Sequence, residues 1–216
     1  MNAWIRAFVF ALGLHGAWAP AWAQDAAPAT TPTPPEIQAV LTAEKARLER
    51  FLAGDGYNYF VLEAKLREVL KQVDGLMNQR QYAAAQEALA PLAALRPLDD
   101  IPHIGLTRRR LVLLHELGQT AEATTQALRS VLLDRVVAGD RDGLTEATAI
   151  EVPFIEFEYF WLARRGFKRE NQRLQQGERS YDVMDVTDRD GKRATFYFDV
   201  TRLFKLRVDG INQAKP

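Results

Sequence analysis

The chain has no cysteine, so disulfides, thiolate metal ligands and thiol nucleophiles are excluded and stability must come from burial. Serine is nearly as scarce. Ser130 and Ser180 are the only two in 216 residues, and neither sits in a nucleophile elbow. Of the three histidines, His15 falls in the first residues, while His103 and His115 are twelve positions apart. That spacing is about 120° around an ideal helix, so the pair makes no metal face. No His-Glu-x-x-His and no glycine-rich phosphate loop occurs. Excess charge of one sign is also missing: 28 basic side chains stand against 28 acidic ones, a balance without a long-range field to draw nucleic acid or anionic lipid. Finally, no apolar run reaches the ~20 residues that a membrane-spanning helix needs.

What is present begins with "MNAWIRAFVFALGLHGAWAPAWAQ". Arg6 precedes an apolar run from Ala7 to Leu14, and Ala21-Trp22-Ala23 supplies small residues for cleavage, so residues 1–23 are expected to be a secretory signal peptide. Cleavage after Ala19 is the alternative. With no cysteine to acylate, a periplasmic location is expected, secretion being the other outcome. Residues 24–35, rich in Pro, Ala and Thr, have little to bury and are expected to form a disordered or extended linker.

Residues 36–138 read as helical. Ile37, Val40, Leu41, Leu48, Phe51 and Leu52 share one face, interrupted by Glu44, whose position is expected near the surface. Gly54 and Gly56 close this helix, and a second runs from near Tyr57 to about Asn78. In "EVLKQVDGLMNQRQYAAAQEALAPLAALRP" a polar break separates two helices, with Ala85 as the small side chain that lets them approach. Pro91 should kink the second of the two. Laid on the tetratricopeptide consensus of ~34 residues, Val69, Val73, Leu76, Tyr82, Ala85, Leu89, Leu92 and Pro97 fall at packing positions, so the stretch resembles that repeat. A looser second copy carries Gly118 in its turn and Ala123 in the small position. A generic antiparallel helix bundle is the alternative.

Residues 139–216 change character after "AGDRDGLTEATAI". Pro153 is expected in the first turn of a helix ending at Gly166, with Phe154, Phe157, Phe160 and Trp161 crowded on one side. Alternation then predicts a three-stranded antiparallel meander, at roughly 167–174, 181–188 and 192–200. A three-residue loop Arg189-Asp190-Gly191 sets Val186 opposite Ala194 and Met184 opposite Phe196. The aspartates are then expected mostly in the turn, at the rim and on the outer face.

Calcium binding fails on spacing. With Gly191 as the invariant glycine of an EF-hand, Val186 and Tyr197 occupy positions that need carboxylates. "GDRDGLTEATAIEV", the Glu158-Tyr159 helix and "YDVMDVTDRDGKRATFYFD" together resemble the C-terminal portion of an uncharacterised family of bacterial exported proteins, over roughly residues 139–206. Glu146 and Ala147 depart from it, since that family favours a proline near this boundary. The resemblance implies architecture and export, and no activity.

Two sets of residues remain as candidates. On "TRRRLVLLHE", Arg108 and His115 lie within about 20° on a helix. In a tetratricopeptide frame they face a concave groove lined also by Asp74, Met77 and Asn78, where Arg108 and Arg109 clamp a peptide carboxylate or a small anion. The plainer alternative pairs Arg109 with Glu116 in water and half-covers His115. For catalysis only carboxylates are available: Glu156 and Glu158 beside Tyr159 and Trp161, or Asp182, Asp185 and Asp199. Glu158 is the best placed for a burial-shifted acid. The expectation is an α+β, mainly α protein with no cofactor or metal and no nucleic-acid partner. It is read as a non-catalytic binding or assembly module for a protein or peptide, with a carboxylate hydrolase or an anion binder as alternatives.

Overall fold

The computed structural model describes residues 35–213. The expected signal peptide and the linker through residue 34 lie outside the described residues. The protein is mainly helical with one small sheet, the expected α+β class. α1 (Pro35–Ala53) leads into α2 (Tyr59–Asn78), which opens where the Asn58 side chain accepts the Val61 amide at 3.1 Å. Gln79–Gln81 turn the chain into α3 (Tyr82–Glu87), and Ala85 is fully buried. The helix does not merely kink. It stops at Ala88–Leu89 and restarts as α4 (Ala90–Leu95), with Pro91 in the first turn, where a missing amide hydrogen costs nothing. α5 (Ile104–Glu116) and α6 (Thr120–Ala138) form the next hairpin, with Gly118 at φ +71° in its turn and Ala123 buried.

The C-terminal third comprises β1 (Ile150–Glu151), α7 (Ile155–Arg164), β2 (Lys168–Gln176), β3 (Ser180–Thr187), β4 (Arg193–Asp199) and α8 (Thr201–Gln213). The β2–β3–β4 meander and its register agree with expectation, Val186 facing Ala194 and Met184 facing Phe196. Asp188 and Lys192 close the turn at 2.9 Å, and Gly191 takes φ +81°. Gly166 ends α7 at φ +77° while the Phe167 amide reaches back to the Leu162 carbonyl at 3.0 Å.

Several expectations are corrected. The sheet has four strands and is mixed, in the order β1-β4-β3-β2, because β1 pairs in parallel with β4. Two residues are too few to show alternation, which is why periodicity misses them. Pro153 precedes α7, whose N-cap is Phe154. Glu44 is buried, since Arg129 on α6 meets its carboxylate at 3.0 Å and Arg47 pairs with it from the same helix. Asp182 and Asp199 are also buried. Asp182 shares the inward face of Met184 and Val186; Asp199 pairs with Arg179 and accepts the Thr201 amide at 2.9 Å in the turn before α8.

One hydrophobic cluster runs from Leu48 on α1 through the helices and sheet to Leu203 on α8. Its aromatic junction is Phe51, stacked on Tyr57 at 5.0 Å and tilted against Phe154 at 5.2 Å. α8 lies on α2 at a close approach. The Asn58 side-chain amide donates to the Gly210 carbonyl at 2.9 Å, and a Cβ at Gly210 would sit 3.0 Å from the Phe60 backbone nitrogen. Gly210→Val is therefore expected to lower unfolding stability by about 1–3 kcal/mol. A denaturant midpoint equal to that of the native chain would show that α8 does not pack this tightly.

Candidate functional site

The predicted binding residues separate in space. Asp74 on α2 and Arg109 on α5 meet in a two-pronged pair, Nε to Oδ1 at 2.6 Å and Nη2 to Oδ2 at 2.5 Å, and Arg109 also donates to the Gly105 carbonyl at 3.0 Å. Arg109 is thus committed to Asp74 and not to Glu116. The Glu116 carboxylate instead lies 3.7 Å from His115 Nδ1. Neighbouring helices bring Asp74 within reach, a pairing that spacing along one helix cannot reveal. Arg108 and His115 face solvent, Asn78 is exposed, and Met77 packs half-buried against the core. Because the Asp74–Arg109 pair is partly exposed, a double-mutant cycle with Asp74→Ala and Arg109→Ala should return a coupling of at most about 1 kcal/mol. A coupling of several kcal/mol would mark the pair as a buried anchor.

Beside these residues is a cleft that the sequence reading missed. It has a volume of about 250 Å³ and lies between the interrupted α3–α4 segment and α5, lined by Leu89, Ala90, Ala93, Leu98, Leu113 and Leu114. Gln86, Glu87 and Arg110 complete its lining. The Oε1 of Gln86 is buried without a hydrogen-bond partner. The available signal was "ALAPLAAL", a helix stretch of small residues around a proline, which leaves room beside a neighbouring helix. A smaller cleft of about 90 Å³ lies where Gly54, Tyr57 and Asn58 meet Gly210.

The catalytic candidates are distributed differently. Asp185 points outward to Thr195 at 2.9 Å and Arg173 at 2.9 Å, which hold its pKa down. Glu156 is exposed, 3.9 Å from His103 Nε2. His103 is buried against Phe154, and its Nδ1 accepts the Leu106 amide at 3.1 Å as the N-cap of α5. Burial is the main reason its pKa drops to about 4, with Arg109 adding to the effect and Glu156 opposing it.

Glu158 on α7 is 0 % exposed. Burial first, then the negative charges of Asp182 and Glu156, push its pKa up to about 10. Neither Glu158 oxygen has a hydrogen-bond partner. Trp161, one turn further on, packs edge-on to Phe196 at 5.1 Å and Phe198 at 5.8 Å, with the Arg165 guanidinium 3.8 Å from its ring centre. The arrangement keeps a neutral acid in an apolar layer, and solvent does not reach it.

Among the described residues no three His, Asp or Glu side chains converge as metal ligands, and no described helix is long and apolar enough to cross a membrane. Comparisons with models of protein families, with curated sequences and with solved structures found no match.

Proposed function

We propose that this protein is an exported, non-catalytic helical-hairpin module that binds a protein or peptide partner in the periplasm. The observation that carries the reading is the apolar cleft between α3–α4 and α5, of about 250 Å³. This volume suits one or two apolar side chains of a peptide better than a whole small-molecule substrate, whose pockets run to roughly 300–1,000 Å³. The signal-peptide pattern and the resemblance to exported proteins support the compartment.

Ala93 is exposed and lines the cleft, so Ala93→Trp fills it without touching the core. A partner captured from periplasmic extract, once purified, is expected to bind the Ala93→Trp chain about tenfold or more weakly, with the unfolding midpoint unchanged. Equal affinity of the two chains for that partner would remove the cleft from the function.

A further inference from the structure

α8 is held to the molecule on one side only. Leu203 and Gly210 are buried and Leu206 packs against the core. Arg207 meets Glu63 of α2 at 2.7 Å, while Arg202 reaches Glu49 of α1 at 3.0 Å and Glu151 of β1 at 2.7 Å. These contacts fix the inward face. A second apolar stripe turns outward: Phe204, half-buried, then Val208 and Ile211, which are 55 % and 37 % exposed. Their spacing, four residues and then three, is that of a helix-pairing seam, the d, a and d positions of a heptad. Phe60 of α2 is also exposed and adjoins α8 at Gly210, adding to the apolar surface beside the stripe. Among the described residues, the exposed Leu95, Val112, Leu144 and Leu174 each come from a different segment and form no such line.

One flank of the stripe carries Lys205 and Asp209. Both are exposed, and neither makes a side-chain hydrogen bond or ion pair with any described residue. They stand one turn apart with the cation nearer the N-terminus, the weaker order for pairing within a helix. Reversing the direction of a helix exchanges their places. A two-fold axis between Arg207 and Val208, set across an antiparallel pair of α8 helices, brings Phe204 level with Ile211 of the partner subunit. The same axis brings Lys205 within one residue, about 1.5 Å of rise, of Asp209 of the partner subunit, and symmetry repeats the contact. A parallel pair sets Lys205 level with its own equivalent and leaves like charges together. A flank of one cation and one anion gives no bias toward a lipid surface or an acidic peptide, but it matches its own reversed copy.

We propose that α8 is the contact of a two-fold symmetric dimer of this chain, crossing its copy antiparallel with Phe204, Val208 and Ile211 in the seam and Lys205–Asp209 pairs at its edge. With one helix of 13 residues from each copy, the interface is small and dissociates in roughly the micromolar range. It shares no residue with the cleft beside α5, and it stands whether or not that cleft binds a peptide.

Sedimentation velocity of the purified full chain, from about 1 to 200 µM, tests the contact. The native chain is expected to pass from monomer to dimer over this range. Val208→Glu should weaken the dimer about tenfold or more with the unfolding midpoint unchanged, because Val208 lies outside the core. Lys205→Glu and Asp209→Lys, each alone, place like charges together and should weaken it about threefold or more. Mixing those two variants restores association, since the mixed pair regains both opposite-charge contacts. A native chain that stays monomeric, a dimer indifferent to Val208→Glu, or charge variants that associate no better mixed than alone overturns the proposal. So does a monomeric chain that floats with anionic vesicles, which would assign the stripe to a lipid surface.

Discussion

Raising the pH from about 6.5 to 9 should cost this protein roughly 3 kcal/mol of unfolding stability, at about 1.4 kcal/mol per pH unit. The folded chain keeps a proton on Glu158 up to about pH 10, whereas the unfolded chain releases it near its ordinary 4.5. A group whose folded pKa is raised contributes fully below its unfolded pKa and loses that contribution as pH rises toward the folded value. His103 works in the opposite sense, because its folded pKa is lowered to about 4 from an ordinary 6.5. Between about pH 4.5 and 6.5 the two slopes cancel, so stability should be nearly level there. Above 6.5 His103 is neutral in both states and only the Glu158 slope remains. Asp99, Asp142 and Asp185, all with lowered pKa, withdraw stability only in more acidic solution. Urea unfolding at half-unit pH intervals measures the profile. In Glu158→Gln the level region should become a rise toward pH 6.5, followed by a plateau. A native profile still rising between pH 7 and 9 would contradict the neutral state of Glu158.

The second large effect is expected from Phe51→Ala, at about 3–5 kcal/mol of stability. Phe51 is 0 % exposed and touches three aromatic rings, Tyr57, Tyr59 and Phe154, with the Arg96 guanidinium 5.6 Å from its ring centre. Phe154 belongs to the C-terminal third, so truncation opens a cavity on the seam where helices and sheet unit share one cluster. Phe51→Leu keeps most of the volume and should cost about 1.5 kcal/mol or less. Denaturant unfolding separates the two substitutions. A loss below about 1 kcal/mol for Phe51→Ala would mean that the seam collapses around the gap.

Much of the local structure was legible in the sequence. Strand register followed from the position of Gly191 and from a pleat with a period of two: one slip would have scattered Met184, Val186, Phe196 and Phe198 over both faces. Ala85 marked a close helix approach, and Pro91, expected to kink its helix, sits where that helix stops and restarts. β1 was invisible because a two-residue parallel strand depends on a distant partner, β4. α8 was not anticipated, although Leu203, Leu206 and Gly210 recur at helical spacing on its inward face.

The candidate site was less legible. Glu158 could be singled out from its aromatic neighbours, but Asp182, whose charge acts on it, lies 24 positions away and was expected with the other aspartates mostly at the turn, the rim or the outer face. Arg109 read as an anion clamp or as the partner of Glu116 until α2 brought Asp74 against it. The cleft beside α5 has walls from three separate segments.

By itself, the sequence determined which residues alternate, where helices begin and stop, and which chemistries lack their atoms, because these depend on neighbours a few bonds away. Only the tertiary structure decided which charges neutralise one another, which carboxyl group loses water and where a cleft opens, because desolvation and Coulomb energy depend on distance through space.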